Sequence, residues 1–159
     1  MGSEMCIRDS SYASRRGTRI AVVFSDGFIV DVFGEPLREA VKYADLVMAN
    51  YTEASKFTGE EEEEKIVEKL KTSAPNFVLT KGDQGARIHF EGQDVEIPAV
   101  STTAVDETGA GDMFAGAFLY GITNGLKVDE AGNLASKLAS QIVSQLGPRF
   151  KGDLKAHLG

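Results

Sequence analysis

The apolar residues of this chain fall into short β-branched runs and helical stripes that alternate along its length. Arg19-Ile-Ala-Val-Val-Phe24 is such a run and predicts a buried strand, broken by Ser25-Asp-Gly27. Between Glu35 and Tyr43, Leu37, Ala40 and Val41 share one face and Pro36 takes an early helical position, which predicts a helix. Asp45 to Asn50 predicts the next strand, ending in a polar residue, and Thr52 to Phe57 a short helix stopped near Gly59. Glu60 to Glu64 is a run of five glutamates that opens a further helix, striped by Ile66, Val67 and Leu70. Lys65, Lys69 and Lys71 follow toward its end, so acid precedes base as the helix dipole favours. As a charge run it reads as a solvated helix start rather than a metal site.

Asn76-Phe-Val-Leu-Thr80 predicts another strand, leading into Lys81-Gly-Asp-Gln-Gly85. Ala86 to Glu91 and Gln93 to Pro98 alternate around Gly92 and predict a hairpin. Helices follow over roughly Gly111 to Asn124 and Asp129 to Leu146, the second closed by Gly147-Pro148. Strands separated by helices, then a hairpin and two helices, describe an α/β layered domain around a mostly parallel sheet.

Residues 1–18 carry neither a helical nor a strand period, nor the apolar core of a signal peptide. They are expected to be a disordered leader or a junction segment, with residues 19–159 forming one domain. A net charge of −7 argues against non-specific nucleic-acid binding. Cys6 is the one cysteine, which excludes an internal disulfide and points to a reducing cytoplasm. No apolar run approaches the length of a membrane span.

The chemistry concentrates in Asp106-Glu-Thr-Gly-Ala-Gly-Asp112, which runs directly into Met113-Phe-Ala-Gly-Ala-Phe118. A small-residue turn at a helix N-terminus presents unpaired N–H groups to an anion. Asp112 stands where it could take a proton from a nucleophile attacking that anion. Phosphoryl transfer needs that pairing, since its transition state asks mainly for charge stabilisation and a positioned nucleophile. Three more segments fall where parallel strands hand over to loops, the usual ligand edge of an α/β sheet. They are Ser25-Asp-Gly-Phe-Ile-Val-Asp31, Asn50-Tyr-Thr-Glu53 and Thr80-Lys-Gly-Asp-Gln-Gly85. Taken singly, each has a plain structural explanation: a turn with Phe28 and Val30 packed, a helix cap with Glu53 as surface charge, and a loop whose Lys81 faces solvent.

Together and in this order, the segments resemble the C-terminal half of the PfkB carbohydrate kinases, in the ribokinase-like superfamily. The match to D-x-x-G-A-G-D-x-F-x-G-A-F has no insertions, and the likeness spans about residue 19 to residue 150. The Ser25 to Asp31 segment looks most like the adenosine-kinase-like members. The resemblance implies a ribokinase-like fold and an ATP-dependent kinase acting on a hydroxyl of a nucleoside or sugar, adenosine-like by preference. It implies that Gly109, Ala110 and Gly111 hold the γ-phosphate and that Asp112 is the general base. Asn50, Glu53, Thr80, Gly82 and Gly85 fall at the nucleotide site, with Glu53 organising Mg2+ and Asn133 lying beside the base. Asp106 and Thr108 sit where many family members bind a monovalent cation such as K+, although Glu107 replaces a residue that is often a small hydroxyl.

The lid strands and sugar-binding residues that such kinases carry further upstream are not recognisable here. The sequence therefore contains a nucleotide side and a base, and the resemblance leaves a second copy or a separate N-terminal half as partner. A sheet cut in two would expose an edge and an apolar helix face. The competing expectation is a non-catalytic nucleotide-binding or oligomerisation module. A dinucleotide-binding oxidoreductase is disfavoured, because no glycine fingerprint follows the first strand.

Overall fold

The computed structural model describes residues 2–157. Its strands are β1 (Ala21–Val23), β2 (Leu46–Asn50), β3 (Phe77–Thr80), β4 (Ala86–Phe90) and β5 (Gln93–Ile97). They form one sheet in the order β1-β2-β3-β4-β5. β1, β2 and β3 run parallel, and β4 pairs antiparallel with β3, so the sheet is mixed. The helices are α1 (Gly2–Arg15), α2 (Gly27–Val32), α3 (Gly34–Val41), α4 (Tyr51–Thr58), α5 (Glu63–Ser73), α6 (Ala110–Thr123) and α7 (Val128–Val143).

The single domain expected over 19–159 divides into two compact units. Unit 1 comprises Met1–Gly82 and Ala86–Glu96; unit 2 comprises Asp83–Gly85 and Ile97–Gly159. No glycine- or proline-rich linker marks the division, because the chain crosses it within the short segment between β3 and β4 and again at the end of β5.

In unit 1 the strands contribute their apolar runs to a core of Phe24, Val47, Phe77 and Leu79, covered by Ile66, Val67 and Leu70 of α5 and by Phe57 of α4. The Phe24 and Phe57 rings meet at 4.9 Å, and the Arg38 guanidinium lies 4.7 Å from the Phe57 ring centre. β2 and β3 are buried along nearly their whole length, as strands covered on both faces must be. β1 is the sheet edge, and Ala21 and Val23 are exposed on it.

Residues 2–15, expected to be disordered, form α1. None of its described side chains is buried, and buried positions are what a helical stripe marks. Gly17, at φ 72°, ends it in the left-handed conformation that releases a helix C-terminus. The turn expected after β1 winds into α2, capped by Asp26, whose side chain accepts from Phe28 N at 2.7 Å. Val30 is buried there as expected, whereas Phe28 is 64% exposed.

In unit 2, α6 and α7 pack as a helical hairpin. A Cβ on Gly121 would lie 2.7 Å from that of Ala131, so glycine sets how closely the two helices approach. Phe118, Leu138 and Ile142 fill the seam.

Candidate active site

The parallel ladder of unit 1 brings Asn50 and Thr80 side by side as register partners at the carboxyl ends of β2 and β3. Asn50 is the N-cap of α4 in a reciprocal capping box. Its Oδ1 accepts from Glu53 N at 2.8 Å, and Glu53 Oε2 accepts from Asn50 N at 2.9 Å. Glu53 is 5% exposed, so it is not the surface charge that the segment taken singly suggests. A carboxylate held there is tolerable because hydrogen bonds replace its water. The two residues therefore fix each other and the start of α4 at the carboxyl ends of the parallel strands.

Beyond Thr80 the chain turns through Gly82, at φ 60°, with open space where a side chain would be. Lys81 does not face solvent; its side chain is 11% exposed and ion-paired. Gly85, in unit 2, has an architectural reason to be glycine. It stands at φ 89°, and a Cβ would sit 2.0 Å from Ile97 O and 2.8 Å from Ala99 N. The second glycine of this motif is thus required by a backbone crossing, without appeal to a ligand.

The turn at the start of α6 is the most specific feature of unit 2. Gly109 caps the helix at φ 83°, where a Cβ would press to 2.8 Å on Pro148 Cβ. Ala110 N donates to Glu107 O at 3.2 Å, so that amide has a partner within the turn. Among the described residues, the N–H groups of Gly111 and Asp112 have no such partner, as the first turn of a helix dictates. Gly111 has nothing within 4 Å of where its Cβ would be, and both it and Asp112 are exposed. Asp112 lies in the first turn, exposed, and among the described residues no hydrogen bond or ion pair engages its carboxylate.

Asp106 behaves differently. Its Oδ1 accepts from Thr108 N at 2.9 Å and its Oδ2 from Gly147 N at 3.0 Å. Val105 N and Asp106 N both donate to Val143 O, so the loop is strapped to the end of α7. The Thr108 side chain, its N–H and the Gly147 N–H hold the Asp106 carboxyl below the usual aspartate range. Asn133, exposed on α7, donates its side-chain amide to Asp129 O one turn back. Leu138 and Ile142 of the same helix are core, as the stripe predicts. Among the described residues no group of three or more His, Cys, Asp or Glu side chains is gathered to hold a metal.

The family model for pfkB carbohydrate kinases matches residues 6–154. The chain belongs to the pfkB family. Its cytidine kinase relative from Thermococcus kodakarensis is 30% identical over 138 residues, covering 83% of this chain and 49% of that protein. The structure of adenosine kinase from Sinorhizobium meliloti matches with a TM-score of 0.89 at 27% identity, over 97% of this chain and 48% of that one. A Burkholderia thailandensis nucleoside kinase, solved in complex with inosine, gives a TM-score of 0.75 at 27% identity, over 89% of this chain and 46% of its own. This pfkB-family chain thus spans about half the length of the relatives it matches.

Sequence reasoning missed two groups of residues in this pfkB-family chain. Gly147 and Pro148 seemed only to close α7, yet they anchor Asp106 and confine Gly109. Lys81, Arg87 and Glu96 gave no signal beyond charge, though they join the glutamate run in one ion-pair network.

Proposed function

We propose that this chain is the nucleotide side of an ATP-dependent kinase that moves the γ-phosphate to a hydroxyl of a nucleoside or sugar, with an adenosine-like acceptor preferred. One observation carries the reading: the open amides of Gly111 and Asp112 at the head of a 14-residue helix, with an unengaged carboxylate beside them. Those amides and the positive end of the helix dipole favour an anion. Fixed donors of this kind stabilise charge as it develops on phosphoryl oxygens. Asp112 accepts the proton of the attacking hydroxyl, which makes the oxygen a better nucleophile as the new bond to phosphorus forms.

Within unit 1, Asn50, Glu53, Thr80 and Gly82 stand at or just beyond the carboxyl ends of the parallel strands, the edge where an α/β sheet meets a nucleotide. Magnesium supplies charge neutralisation at the phosphates and retains much of its own water. Glu53 fits an outer-sphere role, because its carboxylate is already committed to holding the start of α4. Asp106 and Thr108 would offer an ionised carboxylate and a hydroxyl to a monovalent cation such as K+. The acceptor preference draws on the named nucleoside kinases among the relatives and on the Ser25 to Asp31 segment.

Isothermal titration of the folded chain with a non-hydrolysable ATP analogue and Mg2+ tests the nucleotide half. Binding is expected; its absence in a folded sample refutes the assignment. In a full-length version, Asp112→Asn should lower turnover by about 100-fold or more while leaving nucleotide affinity in place. Retained turnover refutes the base. A non-catalytic nucleotide-binding module is the competing account, drawn from the chain's spanning half of its relatives, and phosphate transfer to adenosine decides against it.

A further inference from the structure

Four charged groups of unit 1 close a ring of alternating sign. Lys81 Nζ lies 3.0 Å from Glu63 Oε1 and 3.1 Å from Glu96 Oε2. Arg87 completes the circuit, its Nη1 3.6 Å from Glu63 Oε1 and its Nε 3.4 Å from Glu96 Oε1. Glu64 grips the same guanidinium from outside with both oxygens, at 2.7 and 3.3 Å. The Arg87 side chain is 18% exposed, so both cations are largely withdrawn from water. The ring joins four separate pieces of chain: the first turn of α5, the residue after β3, and strands β4 and β5.

Lys81 stands between Thr80, which the ladder holds through Asn50 and Ala86, and Gly82, which is left-handed and has open space where a side chain would be. Gly82 opens the short 3-10 turn Gly82–Gln84, so the ring stands where the ladder hands over to that turn. Burial of Lys81 by itself pulls its pKa down, yet the hydrogen bonds to Glu63 and Glu96 more than offset this and leave it raised. An ammonium so neutralised by two carboxylates is a poor direct ligand for phosphate.

We propose that Lys81 is a positioning residue for nucleotide binding, clamping the Thr80–Gly82 backbone to α5 and β5 through Glu63 and Glu96. The inference rests on the kinase reading above, and its experiment separates the two. The 159-residue chain is compared with Lys81→Met, Lys81→Arg and Glu63→Gln, by titration with a non-hydrolysable ATP analogue and Mg2+ and by amide hydrogen exchange. In Lys81→Met, exchange at Lys81 and Gly82 should accelerate by about tenfold while the core amides of β2 are unchanged, and the analogue should bind about tenfold more weakly. Lys81→Arg should restore most of both.

Glu63→Gln is the decisive variant. It leaves the ammonium in place and removes a negative charge, so a phosphate-contacting Lys81 would bind the analogue equally well or more tightly. The clamp predicts weaker binding. Equal or tighter binding by Glu63→Gln, or unchanged exchange in Lys81→Met, overturns the proposal. A parent chain that is folded but binds no nucleotide overturns the kinase reading instead, and the exchange measurement then decides the clamp alone. Should Lys81→Met fail to fold, Glu96→Gln breaks the same ring from the exposed side and is read the same way.

Discussion

Gly109 and Gly111 flank one alanine, yet an added methyl group should act on them in opposite ways. At Gly109 the backbone is left-handed, at φ 83° and ψ 1°, which costs a non-glycine residue about 1–2 kcal/mol. The methyl would also meet Pro148 at 2.8 Å from its Cβ and 3.1 Å from its Cα, and such overpacking costs about 1–3 kcal/mol. Gly109→Ala should therefore destabilise unit 2 by roughly 2–5 kcal/mol, a loss on the order of 10 °C in melting temperature for a chain of this size. Gly111 is helical and faces open space, so Gly111→Ala gains helix propensity, at most about 1 kcal/mol, and should leave stability level or higher. Thermal and urea unfolding of the two variants beside the parent give the comparison. Equal stability losses at both positions, or a Gly109→Ala variant within about 0.5 kcal/mol of the parent, would refute the reasoning.

Gly85→Ala should be worse still, since its Cβ would sit 2.0 Å from Ile97 O and backbone would have to move; expression with native-like melting would contradict the crossing. Asp106 makes an acid-side prediction. Its folded pKa is depressed, so its contribution is present above the unfolded value near 3.8 and is lost as pH falls through the lower, folded one. Asp106→Asn should flatten that part of the melting-temperature profile, and an unchanged profile would remove the latch. The exposed edge of β1 and the apolar face of α2, with Phe28 64% and Val32 52% exposed, should make the chain self-associate. Sedimentation velocity should show Phe28→Ser with Val32→Ser shifting it toward monomer, whereas a parent already monomeric at high concentration would contradict this.

The strands were legible because each buried one is a short apolar run, and β2 and β3 are covered on both faces. The α6 start was legible because its glycines, alanine and aspartate are consecutive. Helix α1 was not, for none of its described side chains is buried, and α2 was not, because six residues with a partly exposed apolar face look like a turn. Local spacing gave Asn50 and Glu53 as candidates without showing that they cap one another. Long-range proximity lies beyond any local pattern. Pro148 beside Gly109, Ile97 beside Gly85, and Lys81 inside a ring of glutamates are all products of the tertiary fold. In the glutamate run, Glu63 and Glu64 clamp basic side chains on β4 and beyond β3, where composition showed only a solvated helix start.

The central claim, that the head of α6 receives phosphate, meets its most direct test in the amide resonances of the ¹⁵N-labelled chain titrated with an ATP analogue and Mg2+. The account predicts saturable shifts at the Gly111 and Asp112 amides. Saturable shifts elsewhere that leave Gly111 and Asp112 unmoved would contradict it.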